Sequence, residues 1–240
     1  MMVRLGMMEQ SYQRRTWLVL LPAMIIPALT ALFYFVWMKG SGAAQPAYGG
    51  AKLFILIWPL AATAFILRRP VAWKLRPIAI HLRAIPLGLL MGLGIAGIMA
   101  ALMASPLGNL VESATGAIEE KVVNLGIQEH FILFAICLSL FHSLLEEYYW
   151  RWFVYGNLRN LVSRPTAHAI SAVGFSLHHI VVTSQFFPLH WALLFSSAVG
   201  IGGFFWSWLY QRQGTIAGAW ASHAVVDAAL MTVAFILMNS

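Results

Sequence analysis

Long apolar stretches recur along the chain, and polar residues gather in short clusters between them. A bilayer core about 30 Å thick needs about 20 apolar residues per helical crossing. Seven stretches approach that length: Trp17 to Met38, Leu53 to Leu67, Ile85 to Ala104, Phe131 to Tyr155, Thr166 to Val182, Trp191 to Tyr210 and Ile216 to Met238. The pattern predicts an all-α, polytopic integral membrane protein of about seven transmembrane helices. The first stretch is too long for a signal peptide and ends in Val36-Trp37-Met38-Lys39 rather than a small-residue cleavage site, so it is expected to be a retained helix. In the third, small residues recur four apart at Gly88, Gly92, Ala96 and Ala100, which lets a neighbouring helix come close. No long linker or internal repeat divides the chain. Residues 1–240 are therefore expected to form a single transmembrane domain, with its polar motifs in a core at 131–238.

Composition sharpens this picture. The 240 residues are 60% hydrophobic and only 10% charged, against about 45–50% apolar and about 25% charged in a soluble domain. There is too little charge to cover a water-facing surface, and a single Cys137 excludes a disulfide scaffold. The net charge is +7, but the 15 Lys and Arg are scattered between apolar stretches rather than arrayed on one face, so nucleic acid is not expected as a partner. The lipid bilayer is.

Positive charge stays in the cytoplasm. With the N-terminus inside, Arg4, Arg14, Arg15, Arg68, Arg69, Lys74, Arg76, Arg83, Arg159, Arg164 and Arg212 are cytoplasmic, while only Lys39, Lys52 and Lys121 lie outside. This split predicts a multi-pass protein of the cytoplasmic membrane with a cytoplasmic N-terminus. Trp17, Trp37, Trp73 and Trp191 then fall near the interfaces.

Three of the apolar stretches carry charge where the bilayer penalises it. A charged side chain at mid-span costs at least about 2.5–3.5 kcal/mol, so such residues face a protein interior and mark function. The fourth stretch holds His142, Glu146, Glu147 and Arg151, the fifth His178 and His179, and the seventh His223 and Asp227. At a rise of about 1.5 Å per residue, the motif residues lie about 10–20 Å from the ends assigned to the cytoplasm, deep enough to share one polar cavity opening to that side. Glu147 and Arg151 are four apart and can pair, as can His223 and Asp227, whose carboxylate would hold the imidazole in one tautomer. Glu146, turned about 100° from Glu147, is then the less-paired acid and the one suited to general-base work. His142 is expected to be a core histidine or auxiliary ligand, His178 a packing or supporting residue, and His168 an ordinary interfacial histidine. Intramembrane Glu, His and Asp also build proton relays, so a proton-coupled transporter is the rival from another class. A non-catalytic scaffold or immunity protein is a third reading.

The three motifs, Glu146-Glu147-x-x-x-Arg151, Phe175-x-x-x-His179 and His223-x-x-x-Asp227, resemble the signatures of the CPBP family, the intramembrane proteases that include the type II CAAX prenyl endopeptidases and Abi-like proteins. The resemblance covers Glu146 to Asp227 and leaves the first three stretches without a signature. It implies an intramembrane endopeptidase acting on a membrane-associated peptide or protein substrate. Glu146 and His179 would activate water, with His223 and Asp227 across the scissile carbonyl and Glu147 and Arg151 as their partner pair. The family's CAAX enzymes typically carry asparagine where this chain has Asp227, and an ionised carboxylate cannot donate to an oxyanion. No cofactor is expected on this reading. The alternative is a zinc-dependent protease with Glu146, His179 and His223 as ligands and an open position for water.

Overall fold

A computed structural model describes residues 2–38, 41, 44–70 and 77–240. Lys39, Trp73, Lys74 and Arg76 of the charge and aromatic pattern lie outside the described residues, as does the side chain of Arg4. Among the described residues the protein is all helix, without a strand. Helix α1 covers Met2–Leu32 and runs on through a wide turn at Phe33–Trp37. Helix α2 covers Ala44–Ala61 with a similar ending at Ala62–Ile66, and α3 covers Ile78–Met103. Two short helices follow, α4 at Pro106–Glu112 and α5 at Thr115–Leu125. The charged helices come next: α6 at Gln128–Leu158, α7 at Arg164–Thr183, α8 at Leu189–Gln213 and α9 at Ala217–Met238.

Six of the seven predicted crossings are helices long and apolar enough to span a membrane, so the protein is a multi-pass integral membrane protein. The seventh, α7, forms where expected but is less apolar. Packing accounts for the difference, because α7 is flanked by α1 on one side and α8 on the other. Its Ser171 and Phe175 are buried, and Ser176 donates across to the Ser196 carbonyl of α8 at 2.8 Å. An inner helix meets protein rather than lipid and need not be hydrophobic all round.

The small-residue stripe of α3 meets α9 as expected. A Cβ at Gly88 would overlap the carbonyl of Gly218, so only glycine permits this approach. The opposite face of α3 is apolar and open, with Leu90 68% and Leu93 61% exposed, as a lipid-facing surface requires. The core lies around the second half of α6, where Tyr149, Trp150, Phe153, Val154 and Tyr155 are buried against Val19, Leu20 and Ala23 of α1 and Phe175 of α7. Tyr149 anchors that contact by donating to the Ala23 carbonyl at 2.7 Å. His168, expected at the interface, is instead buried, its ring stacked on Tyr155 at 4.5 Å.

Candidate functional site

The polar core is built on α6. Its backbone has two wide, π-helical turns, Leu138–His142 and Tyr148–Tyr155, flanking the α-helical stretch Ser143–Glu147 that carries the two glutamates. Such turns recur at functional sites because they change which side chains face inward. Here six of the eight residues Tyr148–Tyr155 are buried. Trp220 of α9 donates to the Leu140 carbonyl within the first wide turn at 2.9 Å, fixing α9 against α6.

Glu146 is the hub of the cluster. Its Oε1 lies 3.3 Å from His178 Nε2 and 3.5 Å from His142 Nε2, and its Oε2 lies 3.8 Å from His223 Nε2. Its contacts are longer than those of Glu147, as expected of the less-paired acid, but α6, α7 and α9 together surround it with three imidazoles. His178, expected as a packing or supporting residue, is the nearest of them. The pair from adjacent positions reaches the site by two routes. His179 donates through Nδ1–H to the Phe175 carbonyl at 2.9 Å, and its ring lies 4.0 Å from that of His178.

Glu147 pairs with Arg151 as the spacing predicts, Oε2 to Nε at 3.1 Å, with both side chains 1% exposed or less. Its other oxygen accepts from His223 Nδ1 at 2.9 Å. Glu147 thus bridges Arg151 and His223, and it holds the His223 ring more closely than Asp227 does, whose Oδ1 lies 3.5 Å from Nε2. Asp227 meets His223 as the four-residue spacing predicts, and Glu147, reaching across from α6, adds a second and closer contact to the ring.

Aromatic rings fill the space beneath. The Arg151 guanidinium lies 4.6 Å above the Phe175 ring and 5.2 Å above Trp206, geometry that favours a cation on an aromatic face. Trp206 stacks on His223 at 4.1 Å, and Trp150 stacks parallel to His178 at 5.9 Å. Phe175, wholly buried, touches the rings of His178, His179 and His223. The phenylalanine of the second motif is therefore the common support of the histidines.

One functional neighbour escaped the sequence pattern. Lys52 of α2 places Nζ 2.9 Å from His142 Nδ1, although the charge tally sets it at the outer boundary. Starting the second crossing at Gly49, where the apolar helix begins, rather than at Leu53 would have placed Lys52 inside it.

The cluster is open along one edge. The side chain of His142 is 29% exposed and those of His178 and Asp227 are 12% exposed, against 5% or less for Glu146, His223, Glu147 and Arg151. On α6 the most exposed of these, His142, lies on the Gln128 side of Glu146 in the chain. Toward the Tyr155 end, where the opening is expected, Tyr149, Trp150, Phe153 and Tyr155 are each 1% exposed or less.

The donor atoms of Glu146, His178 and His179 lie within 4.8 Å of one another, close enough to hold a metal ion. His223, expected as a third ligand, is not part of that group among the described residues. In chemical terms the site offers a carboxylate withdrawn from solvent, ringed by imidazoles and backed by a fully buried ion pair. Residues 128–229 match the family model of the type II CAAX prenyl endopeptidases, Rce1-like. No curated protein and no solved structure matches the chain.

Proposed function

Through residues 128–229 the chain belongs to the CPBP family of CAAX-type membrane proteases, and from that premise we propose that it is a glutamate-dependent intramembrane endopeptidase in which Glu146 is the general base. The observation that carries this reading is the convergence of His142, His178 and His223 within 3.8 Å of one buried carboxylate. In the proposed reaction a water on the open edge loses a proton to Glu146 as its oxygen adds to the scissile carbonyl. His179, beside His178, helps orient that water. His223, held through Nδ1–H by Glu147 and carrying a second proton as the imidazolium, presents Nε2–H to the developing oxyanion, a donor position commonly worth about 3–4 kcal/mol. Asp227 steadies the far edge of the same ring. The proton on Glu146 then passes to the leaving amine as the carbon–nitrogen bond breaks, which completes hydrolysis.

Residues 1–240 act as one membrane unit on this reading, supported by the packing of α1 on α7 and of α3 on α9. The charge split supports a cytoplasmic N-terminus in the cytoplasmic membrane, which turns the open edge of the site away from the cytoplasm. The substrate is a membrane-associated peptide or protein, with a prenylated C-terminal segment as the first class to test.

A second reading rests on the grouping of Glu146, His178 and His179. A zinc ion held there would supply Lewis-acid activation of water.

The test uses purified full-length protein in lipid nanodiscs with quenched fluorescent peptides ending in Cys-aliphatic-aliphatic-X, with and without an isoprenyl thioether. Cleavage by the native protein is expected, with a loss of about 10²–10⁴-fold in Glu146→Gln. Full turnover by a stably folded Glu146→Gln variant would remove the general-base role. Loss of activity to a chelator, with stoichiometric zinc in the untreated protein and recovery on its return, would select the second reading.

A further inference from the structure

The helices before residue 128 supply more than packing, because Lys52 enters the site from α2. Its Nζ lies 2.9 Å from His142 Nδ1, and His142 Nε2 lies 3.5 Å from Glu146 Oε1, so the three groups form a line from α2 to the hub of the cluster. The chemistry of the first contact dictates the second. An ammonium has three donors and no acceptor, so His142 Nδ1 must accept. A neutral imidazole that accepts at Nδ1 carries its proton on Nε2, the nitrogen facing Glu146.

We propose that Lys52 is a positioning residue: it locks His142 in the Nε2–H tautomer and so aims a hydrogen-bond donor at the Glu146 carboxylate. A lysine serving only as a topology charge would extend into water or headgroups. Lys52 is instead partly buried and in contact with an intramembrane histidine on another helix. The 3.5 Å separation is long for a hydrogen bond, which suits a contact that tightens when substrate excludes water from the open edge. The catalytic consequence rests on Glu146 acting as the base, whereas the tautomer itself does not.

The experiment therefore has two arms, both on full-length protein. In the first, histidine ring nitrogens are labelled with ¹⁵N and the His142 signals are assigned by their loss in His142→Gln. The expected spectrum shows a protonated Nε2 and an unprotonated Nδ1. Lys52→Met should abolish this single tautomer, and Lys52→Arg, which keeps a donor-only cation, should restore it. A native His142 protonated on Nδ1, or a tautomer unchanged in Lys52→Met, overturns the proposal.

The second arm measures peptide cleavage. Lys52→Met and His142→Gln should each lower kcat by about 10- to 100-fold with little change in KM, the size of effect that small misplacements produce. The double variant should be no worse than either single one, and Lys52→Arg should recover most of the loss. Unchanged kcat in Lys52→Met, or losses that multiply in the double variant, would overturn the positioning role. If the native protein cleaves none of the peptides, the protease reading is the one that fails, while the ¹⁵N spectra still decide the tautomer.

Discussion

Replacing Arg151 by methionine tests whether the buried network is as tightly coupled as its geometry indicates. The substitution keeps an apolar stem of similar reach over Phe175 and removes the guanidinium, leaving Glu147 with His223 alone. Because Arg151 and Glu147 are both 1% exposed or less, solvent cannot take over the lost contact, and breaking one side of such a pair costs about 3–5 kcal/mol. For a chain of this size about 1 kcal/mol moves the melting temperature by roughly 2–4 °C. Arg151→Met should therefore lower the melting temperature by on the order of 6–20 °C. Glu147→Gln should cost a comparable amount, because it strands Arg151 and loosens His223. The double variant Glu147→Gln/Arg151→Met removes both charges and should be less damaged than the sum of the two single losses, the mark of a direct interaction. Thermal unfolding of the four proteins in one detergent, followed by intrinsic tryptophan fluorescence, makes the comparison. Arg159→Gln, at an exposed position, serves as control and should stay within about 0.5 kcal/mol of the native protein. An Arg151→Met protein that melts with the native one, or a double variant whose loss equals the sum, would refute the coupling.

Three further outcomes follow from other parts of the structure. Phe175→Ala should destabilise by about 3–5 kcal/mol, as loss of a wholly buried aromatic does, and should depress peptide cleavage beyond that, since three site histidines rest on this ring; a melting scan beside a rate measurement checks both. Gly88→Leu should force α3 from α9 and leave little folded protein by size-exclusion chromatography, whereas Gly94→Leu, with open space around its Cβ position, should behave as native. In a Cys137→Ser background, His142→Cys should react with a membrane-impermeant thiol reagent in intact cells and Arg159→Cys only in inverted vesicles. Labelling of both from the same side would contradict the closed Tyr155 end or the helix orientation built on it.

The crossings, the helix pairing at Gly88 and the Glu147–Arg151 pair were all legible in the chain, because each depends on distances within one helix or on composition alone. Hydrophobic length decides what enters a bilayer, small residues four apart mark a close face, and residues four apart on a helix meet whatever packs around them. The presence of Glu146, His179, His223 and Asp227 in one cluster was also readable, since burying such groups in a membrane requires that they meet one another. Their order of contact was not. Which imidazole faces Glu146 depends on how α6, α7 and α9 are rotated about their axes, and the wide turns at Leu138–His142 and Tyr148–Tyr155 shift that rotation away from a regular helical count. Hence His178 rather than His179 lies nearest to Glu146, and Glu147 rather than Asp227 holds His223 most closely. Lys52 enters from a helix ninety residues away from His142 in sequence, a separation that no local periodicity spans. The open edge, too, is decided by tertiary packing: the aromatic residues after Glu147 are buried only once α1 and α7 close around them, while His142, His178 and Asp227 keep partial exposure.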